Sequence, residues 1–333
     1  MSALLTPRAA ARPMSAQRTR QLITLVRDYG VVVVLAGLCV TFSAATSGFL
    51  TSDNLRNLLE QSAEPGLLAC GMTAVIIAGE FDLSVGAILG FGGVICAIVT
   101  NASTPVLGIA AALAAGAALG VINGVIVSRT GVHSFLVTLA TQFVFVGAAI
   151  YLTHGTDNVR IDATGFAQLS DGTFGTLQYK AWIALTGFII MWLVLRESRL
   201  GKRIHALGGN AAAARTVGIR VHRVRVAVFA LSGVFAAIAG VLVASDATVA
   251  QADGGIGTEF VAITAVIIGG TSIAGGRGSV WRTFTAVLLL AVIANGLNLL
   301  YINATYDQLV QGAIILAAVL TDARIKSVSR GPR

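Results

Sequence analysis

Charge is scarce in this chain. Asp, Glu, Lys and Arg together make up 11% of its 333 residues, against 56% hydrophobic residues, and mean hydropathy is +0.83. Too few polar groups remain to clothe a water-facing surface, which excludes a soluble globular protein and leaves an integral membrane one. Cysteine is nearly absent: Cys39, Cys70 and Cys96 lie in or beside apolar runs with no CxxC spacing, so neither a disulfide framework nor a zinc site is indicated. His133, His154, His205 and His222 lie near span ends or in loops, without a Cys, Asp or Ser arrangement that supports nucleophilic catalysis or metal binding. A GxxxxGK run followed by Ser or Thr is missing, since LGKR at 200–203 lacks both the upstream glycine and the hydroxyl. The glycine-rich GGTSIAGGRGS at 269–279 joins two apolar runs without βαβ context, so it reads as an elbow and not as a phosphate cradle. No enzyme active site, metal or cofactor is expected in this chain.

What is present is a series of apolar stretches, each near the length of about 20 residues that a bilayer core requires. They fall near 30–48, 57–79, 83–100, 105–128, 134–152, 180–195, 224–245, 259–274, 280–300 and 306–321. The expected fold is an all-α integral membrane protein of about ten transmembrane helices with both termini cytoplasmic. Residues 1–29 form a basic leader expected to be disordered, 30–322 the membrane domain, and 323–333 a basic tail. The formal charge of +8 does not point to nucleic acid, because the basic residues gather at the ends of apolar runs. With the N-terminus inside, only Arg56, Arg160 and Lys180 fall outside, as the positive-inside rule requires.

Small residues recur every fourth position in the fourth stretch (Gly108, Ala112, Gly116, Gly120, Gly124) and in the seventh (Ser232, Ala236, Gly240, Ala244). In lipid this spacing lets backbones approach closely, so both spans are expected deep in the bundle. TAVIIAG at 73–79 returns as TAVIIGG at 264–270; a direct repeat and chance or shared packing are both open. Two long polar segments, 153–179 and 246–258, fall outside, as solvated connectors or as a docking surface for an external partner.

The longest basic inner segment spans 196–225. Asn210 is placed as an N-cap, Ala211 to Val217 is strong helix-forming sequence, and Gly218 is placed as the terminating C′ glycine. A helix of two turns is not stable alone in water, so something must pack on it. Within this segment, GGNAAAARTVGI resembles the Gly-Gly-Asn-Glu-Ala-Ala cytoplasmic loop of ATP-binding-cassette (ABC) importer permeases of the ribose-type sugar family. GEFDLSVG from Gly79, NGVIVSRTGVHSFLVTLAT from Asn123, GGTSIAGGRGSV from Gly269 and ANGLNLL from Ala294 match that family in the same order, covering roughly 55–322. Ala211 stands where the loop usually carries Glu, His133 and Ser134 where Pro-Pro is common, and Glu80 where Gly is frequent.

The resemblance implies the ABC importer permease fold in a bacterial cytoplasmic (inner) membrane, importing a sugar or sugar-like solute. Its partners would be a separate ATPase that binds ATP and Mg, an extracytoplasmic sugar-binding protein, a second permease copy or homologue, and the lipid bilayer. Asn210, Ala212, Ala213, Arg215 and Gly218 then belong to the ATPase-coupling helix. Thr138, Thr141, Gln142, Asn295 and Asn298 are candidates to line the translocation path, with interhelical hydrogen bonding as the other possibility for each. Glu80, Asp82, Ser84, Gly86 and Arg277 are assigned to structural elbows, with Asp82 or Ser84 capping the next helix and Glu80 or Asp82 pairing with Arg277. An ion-coupled secondary transporter of a small polar solute is the alternative function. Against it, Glu60, Glu64, Glu80, Asp82 and Glu259 fall at or near span ends and not inside spans, where a coupling ion needs its ligand.

Overall fold

The computed structural model describes residues 14–302 except 157, and beyond them 306, 309, 312, 313 and 316, with side chains described from residue 29 onward. In chain order the helices are α1 (Met14–Ala45), α2 (Ser52–Gln61), α3 (Ala63–Ile77), α4 (Val85–Ala102), α5 (Pro105–Thr130), α6 (Ser134–Leu152), α7 (Gln168–Asp171), α8 (Tyr179–Glu197), α9 (Arg199–Gly209), α10 (Ala211–Thr216), α11 (Val221–Ala247), α12 (Thr258–Ile268) and α13 (Val280–Leu299). Two short ribbons accompany them: β1 (Asn158–Arg160) pairs antiparallel with β4 (Val249–Gln251), and β2 (Thr173–Phe174) with β3 (Leu177–Gln178). The protein is an all-α, multi-pass membrane protein in which α4, α5, α6, α8, α11 and α13 are long and apolar enough to cross a bilayer. Helix α1 begins at Met14, well inside the segment expected as a disordered leader. The tenth expected span, 306–321, and the tail, 323–333, lie outside the continuously described residues.

Helix α11 is the centre of the bundle, and glycines set its distance to its neighbours. Along α5, Gly124 faces the backbone of Val226, Gly120 that of Phe229, and Gly116 that of Gly233. The order runs in opposite directions on the two chains, so the helices are antiparallel. On other sides of α11, Gly92 and Gly93 of α4 approach Ala237 and Gly240, and Gly71 of α3 approaches Ser232. A Cβ on Gly120 would collide with the Phe229 carbonyl, so the small-residue stripe is what permits dispersion contact along the whole helix pair.

Two of the expected spans are broken. Helices α3 and α12 have 15 and 11 residues, about 22 and 16 Å, less than the roughly 30 Å of a hydrocarbon core. Both end in the repeated TAVII motif, and both end identically. Gly79 has φ +81° and Gly270 φ +76°; Glu80 N donates to Val75 O at 3.1 Å, and Thr271 N to Val266 O at 3.2 Å. This is the Schellman arrangement, in which a left-handed glycine returns the chain's N–H groups to the last helical carbonyls. The repeat therefore encodes the same helix stop twice, and the loop that follows the second stop returns to the first: Gly276 N donates to Ile77 O at 2.8 Å.

The polar segment before α12 packs on the bundle through part of its length, with Asp253, Gly254 and Ile256 left exposed. After Thr248, in the left-handed region at φ 53°, β4 pairs with β1 and the chain then runs back alongside α4. Ala252 lies against Gly90, and Gly255 against Gly86, so Ala250 and Ala252 are buried. Helix α12 thus starts beside the first turn of α4, inside the bundle. Non-helical backbone at such depth is tolerated when protein covers it. The other long segment is also fixed to this end: Ser245 Oγ donates to Phe166 O at 2.8 Å, Lys180 Nζ pairs with Asp246 Oδ1 at 2.9 Å, and Gln178 N donates to Glu60 Oε1 at 3.0 Å.

Gly120→Ala is expected to lower stability by about 1–3 kcal/mol through overpacking, whereas Gly147→Ala, whose Cβ meets nothing within 4 Å, is expected to be neutral or better. Thermal unfolding of the purified variants in detergent measures the difference.

Candidate functional site

The basic end of the bundle is built from α9, α10, the first turns of α11 and the two elbows, 78–84 and 269–279. Helix α9 starts on Ser198, whose Oγ accepts from Gly201 N at 3.0 Å, and buries Gly201, Ile204 and Leu207. Its Gly208 rests on the Ile77 carbonyl, and the His205 ring bonds through Nδ1 to Gly276 O at 3.2 Å. Sequence reasoning missed this helix, although Leu200, Ile204 and Leu207 at four- and three-residue spacing mark one apolar face.

The helix expected at Ala211 to Val217 is α10. Asn210 Oδ1 accepts from Ala212 N and Ala213 N, both at 3.0 Å, which satisfies two amides that a helix start leaves open. At the other end Gly218 has φ +81° and Ile219 N returns to Ala214 O at 3.0 Å. Ala214 is buried and holds the helix to the protein, while Asn210, Ala212, Ala213, Arg215 and Gly218 are exposed together. Beside it lie two cavities of about 250 and 390 Å³, the first bordered by Arg215, Arg220, His222 and Arg225, the second by Arg203, Arg220 and Arg223.

The elbow carboxylates have other partners than those expected. Glu80 does not pair with Arg277; its Oε1 lies 2.6 Å from Nε of Arg225 on α11, and the Arg277 side chain is exposed. Glycine turns bring the two elbows together by backbone, so that contact needs no ion pair. Asp82 is fully buried, and its Oδ1 accepts from Ser84 N at 3.1 Å and Ser84 Oγ at 2.6 Å. Ser84 occupies the N-cap position of α4 without making a side-chain cap bond, so Asp82 organises the turn that starts the helix. Asn123 Nδ2 of α5 donates to Ser84 Oγ at 2.7 Å. On α6, Ser134 Oγ accepts from Phe81 N at 2.9 Å and Thr138 Oγ1 from Leu83 N at 3.0 Å. Gly86 packs against Gly255 and the Glu259 carboxylate.

The five residues considered for a path are not brought together. Thr138 holds the elbow. Gln142, one turn further along α6, donates from Nε2 to Glu259 Oε1 at 3.0 Å, and Glu259 Oε2 also accepts from Gly257 N at 2.9 Å. Asn295 of α13 forms a reciprocal amide pair with Asn54 of α2, at 2.9 and 3.0 Å. Thr141 bonds within its own helix to Thr138 O, and Asn298 is exposed near the end of α13. Glu259 does stand at a helix end, but that end is buried in the bundle, 1% exposed.

Among the described residues no group of three His, Cys, Asp or Glu side chains could hold a metal ion. Apolar helices interrupted by hydrogen-bonded elbows, with a short exposed helix at one basic end, are the frame of a transport permease. A family model described as "Branched-chain amino acid transport system / permease component" matches residues 54–319, and the chain belongs to that family: it is the membrane permease component of an ABC transporter, multi-pass in the bacterial inner membrane. It is 38% identical over 299 residues to the ribose import permease protein RbsC of Escherichia coli (strain K12), covering 87% of this chain and 92% of that one. With the RbsC protein of Bacillus subtilis (strain 168) identity is 39% over 302 residues, covering 90% and 94%. With the L-arabinose ABC transporter permease protein AraH of Azospirillum brasilense it is 35% over 299 residues, covering 90% and 88%. No solved structure matches the chain.

Asp82→Asn retains an acceptor for Ser84 and is expected to unfold near the wild-type temperature. Asp82→Ala leaves the buried serine groups unmatched and is expected to lose about 1–3 kcal/mol, read by thermal denaturation of the two purified variants.

Proposed function

We propose that this chain forms the translocation path of an importer for a sugar or sugar-like solute, with its basic end in the cytoplasm and its ribbon-bearing end outside. The observation that carries this is α10: a helix of six residues, capped at both ends, presented on the surface at the end where the arginines gather. A helix so short is stable only when packed on something, and one face of it is free for a partner. The partner is a separate ATPase subunit, one on each of two permease copies, with α10 seated in a groove of each. ATP hydrolysed there rocks the helices between outward and inward states.

About ten spans with both termini inside fit this arrangement, α3 and α12 supplying the two that are broken. The bacterial relatives are named for ribose and L-arabinose, which supports a pentose or a close analogue as the solute, delivered by an extracytoplasmic binding protein. Thr141 and Asn298 are the better candidates for path contacts, because Thr138 spends its hydroxyl on the elbow and Gln142 and Asn295 their amides on neighbouring helices. Against an ion-coupled transporter, both carboxylate oxygens of Glu259 are taken up by Gln142 Nε2 and Gly257 N, so it serves as a helix-end bond and not as an ion ligand.

The solute assignment is tested with the transporter reconstituted in vesicles with its ATPase and binding protein. Uptake of ribose or L-arabinose supports it, and uptake of leucine with neither sugar contradicts it. For α10, Gly218→Val is expected to allow ATP hydrolysis with little uptake. A Cβ at Gly218 meets nothing within 4 Å, so the variant strains only the left-handed backbone, by about 1–2 kcal/mol. Uptake per ATP at the wild-type value would count against the docking of this helix.

A further inference from the structure

The Glu80–Arg225 pair joins the two parts of the protein that the proposed mechanism must connect. Its atoms are 2.6 Å apart, and the side chains of Glu80 and Arg225 are 8% and 22% exposed. Ion pairs so well covered contribute little to stability, since desolvation offsets most of the attraction. Removing one partner is another matter, because it strands a buried charge. Such a pair is thus suited to fixing the position of two elements relative to each other.

The elements it fixes are specific. Arg225 lies in the second turn of α11, reached from α10 through Gly218, Ile219 and Arg220, and it borders the same cavity as Arg215 of α10. Glu80 is the residue whose N–H completes the Schellman stop of α3. The next residues of that elbow are bonded to Ser134 and Thr138 of α6, and Asp82 sets the start of α4. A shift of the α10–α11 corner is therefore passed by one short, low-dielectric contact to the junction of α3, α4 and α6.

We propose that Glu80 and Arg225 are positioning residues that form a coupling strut, carrying movement of the ATPase-docked α10 into the α3–α4 elbow. This rests on the docking of α10 proposed above. The strut acts in both directions, since any contact that biases the elbow biases the corner equally.

The test uses the full transporter in vesicles, comparing wild type with Glu80→Gln, Arg225→Gln and the charge swap Glu80→Arg with Arg225→Glu. Three quantities are measured: copurification of the ATPase, ATP turnover, and uptake per ATP. The single variants are expected to retain the ATPase and its turnover while uptake per ATP falls about tenfold, a coupling energy ordinary for side chains in contact. The swap is expected to restore most of it. Unchanged uptake per ATP in both single variants overturns the proposal, as does a well-assembled swap that restores nothing. If the swap does not assemble, Glu80→Asp replaces it: recovery relative to Glu80→Gln supports the strut, and equality with Glu80→Gln overturns it. Failure of the docking reading is seen separately, as undiminished ATPase copurification when Ala212→Trp is placed on the exposed face of α10.

Discussion

The backbone-to-backbone contact of α11 with α5, α4 and α3 is the constraint on which the other features depend. In lipid there is no hydrophobic gain from bringing apolar helices together, so association rests on close packing and on buried polar bonds. Glycine at 71, 92, 93, 116, 120, 124, 233 and 240 removes the side chains that would hold these helices apart. Once α11 is fixed on three sides, its first turns hold Arg225 beside the α3–α4 elbow and its last turn holds Ser245 and Asp246 beneath the α6–α8 connection. Both ends of the molecule are thereby registered to one helix.

Breaking two helices inside such a bundle leaves backbone groups that only protein can satisfy. The chain does so with short polar side chains drawn from neighbouring helices. Ser134 and Thr138 serve the first elbow, Asp82 and Asn123 the start of α4, and Gln142 the carboxylate at the head of α12. Among the polar residues that look from the sequence like contacts for a solute, Thr138 is committed to irregular backbone, and Gln142 and Asn295 to side chains of neighbouring helices. The second elbow is held instead by α3 and α9, with Gly276 N on Ile77 O and the His205 ring on Gly276 O.

Local signals were legible in the sequence and distant pairings were not. Helix α10 could be read because Asn210 and Gly218 act on their own backbone within a few residues. The close packing of α5 could be read because Gly116, Gly120 and Gly124 fall on one face. Arg225 could not be recognised as the partner of Glu80, since nothing local distinguishes it from Arg277, which approaches the same elbow by backbone alone. The descent of 252–257 beside α4 was hidden by its composition, Asp253 and the glycines 254, 255 and 257 being equally suited to a surface loop. A hint was available in Gly86 and Gly90, whose spacing of one turn clears a groove along α4 for that strand of backbone. The meaning of the TAVII repeat became clear only from its two left-handed glycines.

The ribbon formed by Asn158–Arg160 and Val249–Gln251 is only three residues on each side, yet it lies a few residues ahead of α12 in the chain. Because 252–257 is confined against α4, that stretch has little slack to absorb motion. The head of α12 and the ribbon are therefore held at a fixed spacing along α4. The ribbon and the α6–α8 connection thus share one anchorage with the head of a helix buried in the bundle, so surface and interior are registered to each other at this end.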